Sequence, residues 1–394
     1  MSAGEGFPGQ IALFIMPKIA IIGAGASGLF LSRLLRERPG VEIYLFERCK
    51  QVGTKLRASG GGKANIFNTL VTPDCYNHPE FAKRILEKVT PKDMRKTFES
   101  FGLEMCVDEE GRVYPLTQFS QTVVDILWNP EHPRIHPVME YEVSQLIRKG
   151  EQWFVNDYPT AFDTVVLASG TPANIIPKNR RHYNSYLSDL QLEIHPWQPS
   201  LVGFKIKDYP KSLAGCRVKA IASLYQGQQL IHEEFGEITF KDDGVSGIVI
   251  LNLSAYYNRL DDKRNCYISL NFLYDRDSFD VAAHLQQHGS LQGILHPKLN
   301  ALYERKPFDI RNFILQVEDP YDLTFAQVCH GGIDVKEIDE HLAIKKHPSL
   351  YAMGEMLDMD GICGGYNLFF AFATALIVAE ELCKPSKYSR RPRR

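Results

Sequence analysis

The hydrophobic pattern of the chain begins with a short apolar run, Ile19 to Ile22, which is typical of a strand buried on both faces. The run leads directly into Gly23-Ala24-Gly25-Ala26-Ser27-Gly28, and leucines then recur at helical spacing until Pro39-Gly40. A second apolar run, Val41 to Phe46, ends in Glu47. The pattern therefore predicts a strand, a glycine-rich turn, a helix and a second strand, which is the order of a dinucleotide-binding unit.

Each glycine of this turn has a separate mechanical role in that interpretation. Gly23 makes the strand-to-helix turn, Gly25 lets the backbone approach a pyrophosphate, and Gly28 lets the helix lie close to the sheet. The helix N-terminus offers its N–H groups and the positive end of its dipole to the same phosphates. Glu47 can accept hydrogen bonds from both ribose hydroxyls and disfavours a 2′-phosphate. A purely structural glycine turn is the alternative, and the order of the elements favours the nucleotide site.

A second glycine-rich segment, Ser59-Gly60-Gly61-Gly62, cannot form a regular helix or strand. Lys55, Arg57 and Lys63 flank it with positive charge. We expect this backbone to pass against a flat or extended ligand, because no side chain would stand between them. A flexible surface loop is the alternative.

Later segments predict the rest of the architecture. Residues 79–101 and 121–128 look helical, residues 141–156 can form a hairpin, and a buried strand ends in Ala168-Ser169-Gly170, where backbone again passes close to a cofactor.

The pattern changes near His195. From there to about Arg276, short alternating runs predict an all-β insert that could form a small barrel, with strands at residues 201–205, 217–224, 229–233, 237–240 and 266–270. Residues 278–316, including Ile310 to Leu315, are predicted to be helical. A further strand closes on Gly354-Glu355, and Gly364-Gly365-Tyr366-Asn367 opens a long apolar helix that ends at Leu382. The dipole of that helix could point at a second charged part of the cofactor.

Composition narrows the class of protein. The chain has 394 residues, 44% of them hydrophobic and 23% charged, and a net charge of -2, so no global field favours nucleic acid or an anionic membrane. Its eight cysteines form no C-x-x-C motif and indicate neither a metal centre nor a disulfide framework, and no segment approaches the ~20 apolar residues of a membrane span. We therefore expect a cytoplasmic protein without a membrane segment.

The two termini are treated separately. Residues 1–15 lack the basic region and the long apolar run of a signal peptide, so we interpret them as an extension or a misassigned start. The last eleven residues, 384–394, carry six basic side chains and no acidic one. We interpret them as a solvated disordered tail, with a tail that contacts RNA as the alternative.

Several separated motifs resemble a known family. They are IIGAGASGL at 21–29, LRASGGGKANIFN at 56–68, GRVYPLTQFSQTVVDIL at 111–127, VVLASG at 165–170, GEITFKDDGVSGIVILNLS at 236–254, HGGIDVKEID at 330–339 and LYAMGEMLDMDGICGGYNLFFAFATA at 350–375. Together they resemble the bacterial BaiN/RdsA-like family of NAD(P)/FAD-dependent oxidoreductases, which includes aminoacetone-oxidase-type flavoproteins.

The resemblance implies an α/β protein whose two chain ends form one Rossmann-like, glutathione-reductase-like FAD-binding domain, with an inserted β-barrel-like domain and a small helical subdomain. The expected division is an extension at 1–15, the FAD-binding domain at 16–194 and 329–383, the β insert at 195–276, its helical part at 277–328, and the tail at 384–394. Tightly bound FAD is expected at the following residues: Gly23, Gly25, Ala26, Ser27, Gly28, Glu47, Arg48, Lys55, Leu56, Ser59, Gly60, Gly61, Gly62, Lys63, Asn65, Ala168, Ser169, Gly170, Gly354, Glu355, Gly364, Gly365, Tyr366 and Asn367.

One departure from the family concerns the ring-binding loop. Many members read Gly-Gly-Arg-Cys-Asn where this chain has Gly61-Gly62-Lys63-Ala64-Asn65. Lys63 keeps a cation near the flavin but loses the planar guanidinium, and Ala64 removes a thiol. We interpret Cys363 as a buried structural cysteine, with a redox or acid role as the alternative.

The reaction stays open among three classes. The first is the reduction of an unsaturated substrate by NAD(P)H, the second is the oxidation of a small amine by oxygen, and the third is the reduction of uridine in ribosomal RNA. No second GxGxxG occurs in residues 29–394, so a nicotinamide donor would have to bind transiently over the flavin. A small-molecule substrate is the expected partner, and RNA is the alternative. His330 or Tyr366 could donate a proton or anchor the substrate, with a hydrogen-bonded structural residue as the alternative for each.

Overall fold

The computed structural model describes residues 16–175 and 183–384. The expected extension 1–15 and residues 385–394 of the basic tail lie outside the described residues. The strands are β1 Lys18–Ile22, β2 Glu42–Phe46, β3 Phe67–Asn68, β4 Met105–Val107, β5 Arg112–Pro115, β6 Ile135–Val138, β7 Leu146–Lys149, β8 Gln152–Val155, β9 Thr164–Leu167, β10 Ile194–Ser200, β11 Phe204–Ile206, β12 Arg217–Gln226, β13 Gln229–Phe240, β14 Gly244–Ser246, β15 Cys266–Asn271, β16 Phe313–Pro320, β17 Val328–Ile333 and β18 Leu350–Ala352. The helices are α1 Ala26–Arg36, α2 Thr54–Ala58, α3 Pro79–Lys88, α4 Pro91–Ser100, α5 Ser120–Leu127, α6 Ile248–Asn258, α7 Val281–His288, α8 Pro297–Arg305 and α9 Tyr366–Leu382.

A parallel sheet forms the centre of one of the two parts of the molecule, the Rossmann-like half. Its strand order is β18-β9-β1-β2-β6, and every neighbouring pair is parallel. Its central strand β1 reads KIAII, and the last four of these side chains are buried, as expected for a strand that is covered on both faces. The outermost strand β18 comes from the C-terminal end of the chain, so both ends of the chain build this Rossmann-like sheet.

Helix α9 lies in the core beside α1. Ten of its seventeen residues are buried, and Phe372 packs against Phe30 with ring centroids 4.9 Å apart. Phe98 from α4 also meets Phe372, at 5.1 Å. Because apolar side chains surround α9, burial against the sheet and the neighbouring helices holds its N-terminus in place.

A closed barrel forms the second half of the molecule. Its six strands follow the order β11-β14-β13-β12-β15-β16, and each neighbouring pair is antiparallel. The two-stranded sheet of β10 and β17 belongs to the segments that lead into and out of the barrel. The sequence-based fold class, a Rossmann-like domain with an inserted barrel, is therefore confirmed.

The prediction of a helix at Ile310 to Leu315 is wrong. Strand β16 begins at Phe313, and its side chains alternate strictly between buried and exposed through Val317. Six residues were too few to distinguish a period of two from a helical period. The segment predicted as helical, 277–328, therefore contains a barrel strand, and α7 and α8 lie between β15 and β16.

The insert predicted at 195–276 is also not all-β, because it contains helix α6, which packs against β13. The two strands predicted at 229–233 and 237–240 are one strand, and Gly236 lies within it rather than in a turn. A Cβ atom on Gly236 would lie 2.7 Å from Cγ1 of Val249 on α6. The glycine is therefore required by the approach of the helix.

Three smaller observations bear on the sequence-based expectations. The helix predicted at 79–101 is divided into α3 and α4, where Thr90 forms a capping box with Asp93 ahead of α4. All eight cysteines lie in the described residues and are free thiols. Among the helices of the described residues, none combines the length and the apolarity that a membrane span requires.

Candidate functional site

The glycine turn after β1 has the geometry that its three glycines predict. Gly23 has a φ of 110°, and a Cβ atom there would lie 2.5 Å from the carbonyl oxygen of Ala168. A Cβ atom on Gly28 would lie 1.9 Å from the carbonyl oxygen of Gly23. Gly25 differs from both, since no atom lies within 4 Å of its would-be Cβ position. The outer two glycines thus fix the turn, and the middle one leaves open space at the N-terminus of α1.

Glu47 lies beside this turn at the end of β2. Its Oε2 accepts a hydrogen bond from the Ala24 N–H (2.9 Å), and its Oε1 accepts one from the Cys49 N–H (2.8 Å). Each carboxylate oxygen keeps a further lone pair. Two backbone donors therefore hold the acid in one orientation, with acceptor capacity left for a ribose.

A pocket opens where the strands β1, β2 and β9 end. It is lined by Ile22, Gly23, Phe46, Glu47, Arg48, Tyr141, Glu142, Val143, Ser169, Tyr183, Asn184 and Tyr186. The guanidinium of Arg48 lies over the Tyr183 ring, 4.8 Å from its centroid, and the Tyr183 hydroxyl donates to the Ser169 carbonyl at 2.5 Å. Burial raises the pKa of Tyr183 well above its usual value, against the opposing charge of Arg48, so the phenol stays a hydrogen-bond donor.

Sequence reasoning missed Tyr183, Asn184 and Tyr186. The Ser169 hydroxyl donates to Asn184 Oδ1 at 2.7 Å and lies 2.7 Å from the Tyr186 hydroxyl. The Asn184 side chain also donates to the Gly170 carbonyl. No glycine motif marks these residues, because they lie at the start of a short 3-10 helix, Ser185–Leu190, that has no sequence signature of a nucleotide site.

The loop after α2 carries the second predicted glycine cluster. Gly60, Gly61 and Gly62 all have positive φ values, and Gly61 and Gly62 have open space at their would-be Cβ positions. Lys63 is exposed, whereas Ala64 is fully buried with a φ of 56°. The cation thus lies on the open side of the loop, and the residue that replaces the family cysteine points into the protein.

Asn65 joins this loop to the C-terminal glycine turn. Its Oδ1 atom is buried and has no hydrogen-bond partner, and a Cβ atom on Gly365 would lie 2.6 Å from it. A buried acceptor without a donor is costly unless a ligand supplies one. Gly365 is the N-cap of α9 and has no side-chain cap, so no capping side chain satisfies the first N–H groups of that helix.

Tyr366 and Asn367 shape the turn before α9. The Tyr366 carbonyl accepts a hydrogen bond from the Tyr76 hydroxyl at 2.8 Å. The Asn367 side chain accepts from the Gly361 N–H and donates to the Gly361 carbonyl, so its amide is used within the turn. Burial, together with nearby Cys75, raises the pKa of Tyr366 to about 12.

The middle of the cleft connects the first and last motifs. A Cβ atom on Gly354 would lie 3.0 Å from Ser27 Oγ, so the segment that follows β18 packs against the start of α1. The Lys55 ammonium donates to the Thr171 carbonyl at 2.7 Å, and the Thr171 hydroxyl donates to Glu355 Oε2 at 3.3 Å. Desolvation lowers the pKa of Lys55 although the Glu355 charge opposes it.

Leu56 does not reach this cleft with its side chain, which is 2% exposed and belongs to the core. Ala168 is also buried, and its carbonyl faces Gly23. The other predicted residues line the sheet edge, the glycine loop or the turn before α9. Arg57, which was expected to add positive charge, donates a hydrogen bond to Gln121 Oε1 at 2.6 Å and keeps its charge.

His330 belongs to a buried polar network at the junction with the barrel. Its Nδ1 lies 2.8 Å from Oδ1 of Asp360, which is fully buried and accepts the Ser200 hydroxyl at 2.7 Å. Desolvation lowers the pKa of His330, but the hydrogen bond and charge of Asp360 and the charge of Asp358 outweigh it, so the pKa is raised. The predicted histidine is thus anchored by acids that sequence reasoning had not singled out.

Cys363 is half-buried rather than fully buried. Burial raises the pKa of its thiol to about 12, and the charge of Glu234 adds to the effect. The thiol therefore stays protonated at neutral pH and is a poor nucleophile, which agrees with a structural role rather than a redox role.

The residues present fit FAD. The structure offers the carboxylate of Glu47, open space at Gly25, the unpaired Oδ1 of Asn65 and the uncapped start of α9. These are an acceptor for a ribose, space for phosphates at a helix N-terminus, an acceptor for an imide N–H and a dipole end for a ring carbonyl.

The chain is similar to several known proteins. A family described as "HI0933-like protein Rossmann domain" matches residues 17–381. A 3-dehydro-bile acid delta(4,6)-reductase of Clostridium scindens is 27% identical, over 92% of this chain and 98% of the relative. A ribosomal RNA dihydrouridine synthase of Escherichia coli is 25% identical, over 92% and 97% of the two chains. A 3-ketosteroid delta1-dehydrogenase structure from Sterolibacterium denitrificans aligns with a TM-score of 0.47 and 11% identity, over 92% of this chain and 99% of that one, a likeness too low to carry a functional conclusion.

Proposed function

From the premise that the chain belongs to the HI0933-like Rossmann-domain family and is an FAD-dependent oxidoreductase, we propose that it reduces a carbon–carbon double bond of an unsaturated substrate with electrons from NAD(P)H. The observation that carries the proposal is the contact between the first and the last motif. A Cβ atom on Gly354 would lie 3.0 Å from Ser27 Oγ of α1, and the Gly354 N–H donates to the Thr374 hydroxyl of α9 at 3.0 Å, so both helices meet at Gly354. Such a site holds a cofactor that spans from adenosine to flavin ring.

The residues of this chain would hold FAD in three places. Glu47 would accept the ribose hydroxyls, the N-terminus of α1 would meet the pyrophosphate, and Asn65 with the N-terminus of α9 would meet the ring. FAD supplies two-electron hydride chemistry when bound, and the protein supplies orientation and electrostatics. Lys63 and the Gly364-Gly365 amides are our candidates for stabilising negative charge on the ring.

The choice of a reduction is supported by two relatives. A delta(4,6)-reductase and a dihydrouridine synthase both add two hydrogens across a carbon–carbon double bond, by the meaning of their names. The absence of a second GxGxxG in residues 29–394 favours a nicotinamide donor that binds transiently in the same cleft.

Uridine in ribosomal RNA is the second candidate substrate. Relatives from Escherichia coli and Haemophilus influenzae are named ribosomal RNA dihydrouridine synthases. The six basic residues at the C-terminus of this chain, all but one of them outside the described residues, could contact a phosphate backbone.

Anaerobic mixing of the FAD-loaded protein with NADPH tests the electron donor. We expect rapid bleaching of the visible flavin band, and return of the band when a 3-oxo-4,6-diene bile acid or a uridine-containing ribosomal RNA is added. Bleaching by a small amine but not by NADPH, with peroxide formed in air, would instead select the amine oxidase. Loss of dihydrouridine from ribosomal RNA in a deletion strain would select the RNA substrate.

A further inference from the structure

The barrel presents an acidic side chain to the turn that precedes α9. Asn252 of α6 is 4% exposed, and its Nδ2 donates to Oε1 and Oε2 of Glu234 on β13, at 3.0 and 2.9 Å. Its Oδ1 accepts the Cys363 N–H at 2.7 Å. One buried amide therefore ties a barrel carboxyl group to the backbone immediately before Gly364 and Gly365, where the candidate ring site begins.

From this arrangement, and resting on the proposed function, we propose that Glu234 is the catalytic acid that donates a proton to the unsaturated substrate and that Asn252 positions it. The side chain of Glu234 is 31% exposed, so a substrate can reach it. No lysine or arginine nitrogen of the described residues lies within 4.0 Å of its carboxyl group; His232 Nε2, at 4.0 Å, comes nearest. A carboxyl group without a cationic partner keeps its proton more readily.

The proton balance is simple. The O–H bond of the Glu234 carboxyl breaks, and a C–H bond forms at one carbon of the double bond. The other carbon receives a hydride, whose two electrons derive from NAD(P)H through the bound flavin. The substrate is reduced, the nicotinamide is oxidised, and the Glu234 carboxylate regains its proton from solvent.

The surroundings of Glu234 favour its protonated form. Titratable groups around it are His232, Tyr256 and Arg259 of the barrel and Cys363 and Tyr366 of the turn. Burial and the charge of Arg259 lower the pKa of His232, so that ring, which is stacked on Tyr256 at 3.7 Å, is neutral at pH 7. Desolvation raises the pKa of Glu234 itself, and the Asn252 hydrogen bond opposes that rise. A general acid needs a pKa moved toward the working pH in this way.

An infrared titration tests this assignment without any substrate. The carboxylic acid signal that is present in the wild type and missing in Glu234→Gln should titrate above the usual Glu pKa of about 4.3. In Asn252→Ala the same signal should titrate higher still, because the hydrogen bond that lowers the pKa is gone. A midpoint at or below the usual value, or one that Asn252→Ala leaves unmoved, would overturn the assignment.

Stopped-flow kinetics with a 3-oxo-4,6-diene bile acid as the probe supply the second test. In Glu234→Gln, reduction of the flavin by NADPH should stay within about twofold of the wild type, while reoxidation by the probe should slow about 100-fold or more. Asn252→Ala should lower kcat with little change in KM. The matched control is Glu237→Gln, on the same strand but exposed, which should behave as the wild type.

The outcomes separate the two proposals. Equal reoxidation rates in Glu234→Gln and Glu237→Gln, or a comparable loss in His330→Gln alone, would overturn the role of Glu234 while leaving the reductase intact. A wild-type protein that NADPH does not reduce would contradict the proposed function. The infrared titration would then test by itself whether Glu234 is held as a protonated acid by its surroundings.

Discussion

The Rossmann-like half and the barrel contribute to the site in different ways. In the first half, backbone carries the contact surface: Gly25, Gly61 and Gly62 leave open space, and peptide N–H groups hold Glu47. In the barrel, side chains make the contacts: Asn252 binds Glu234 and accepts a hydrogen bond from the Cys363 N–H in the turn before α9. Backbone geometry is fixed by sterics, whereas a side chain can be exchanged without changing the fold. The cofactor half should therefore tolerate few substitutions. In the barrel half, substitution of side chains can change which substrate is bound while the fold is kept.

The sharpest test of this contrast compares two glycines in one turn. Gly28→Ala would place a Cβ atom 1.9 Å from the Gly23 carbonyl oxygen, so we expect a loss of ~3 kcal/mol or more in the free energy of unfolding, together with loss of FAD. Gly25→Ala meets open space and should cost less than about 1 kcal/mol in stability while weakening FAD binding. Denaturant unfolding and flavin titration measure both. Equal stability of the two variants would contradict the steric account.

A second prediction concerns the junction between the halves. The pKa of His330 is raised, so its pairing with Asp360 stabilises the fold below the unfolded pKa of about 6.5 and is lost as pH rises through the folded pKa. The destabilisation caused by His330→Gln should therefore be largest at acidic pH and should shrink toward alkaline pH. Unfolding curves across that range, with exposed His288→Gln as a reference, measure it. A pH-independent difference would show that the imidazole charge plays no part.

The barrel should tolerate a comparable change better than the turn does. In Gly236→Ala, the new methyl group would meet the side chain of Val249 at 2.7 Å rather than backbone, so we expect a cost of about 1–2 kcal/mol. The double variant with Val249→Ala should recover part of that loss relative to Val249→Ala alone. Thermal unfolding measures the coupling. No coupling between the two sites would mean that α6 does not pack on this strand as described.

The smallest expected effect is on the flavin potential. Lys63 is exposed, so screening limits its influence on the ring. Lys63→Met should lower the midpoint potential by less than about 30 mV, which corresponds to ~1.4 kcal/mol for two electrons. An unchanged potential would remove Lys63 from that role.

The elements nearest the cofactor were predictable because their signals are local. The turn at Gly23 to Gly28, the strand before it and the acid at Glu47 follow one another within residues 18–47, so a short window of sequence contains their pattern. The C-terminal turn at Gly364 was predictable as a helix start for the same reason.

The elements that failed depend on distant packing. Strand β16 closes the barrel by pairing with β11 and β15. Its alternation of buried and exposed side chains therefore depends on strands that lie far from it in the sequence. Two strands were predicted on either side of Gly236, because the helix that requires this glycine lies further along the chain. Glu234 carried no motif, and only its bond to Asn252 and the bond from Asn252 to Cys363 connect it to the cofactor half.

The binding of FAD is the most direct test of the central claim, that both chain ends form one glycine-lined cleft for this cofactor. The purified protein should be titrated with FAD while flavin fluorescence is followed, beside Gly25→Val as the matched variant. We expect one tightly bound FAD per chain in the wild type and greatly weakened binding in a Gly25→Val protein that is still folded. A wild-type protein that stays colourless, or a variant that binds FAD equally well, would contradict the claim.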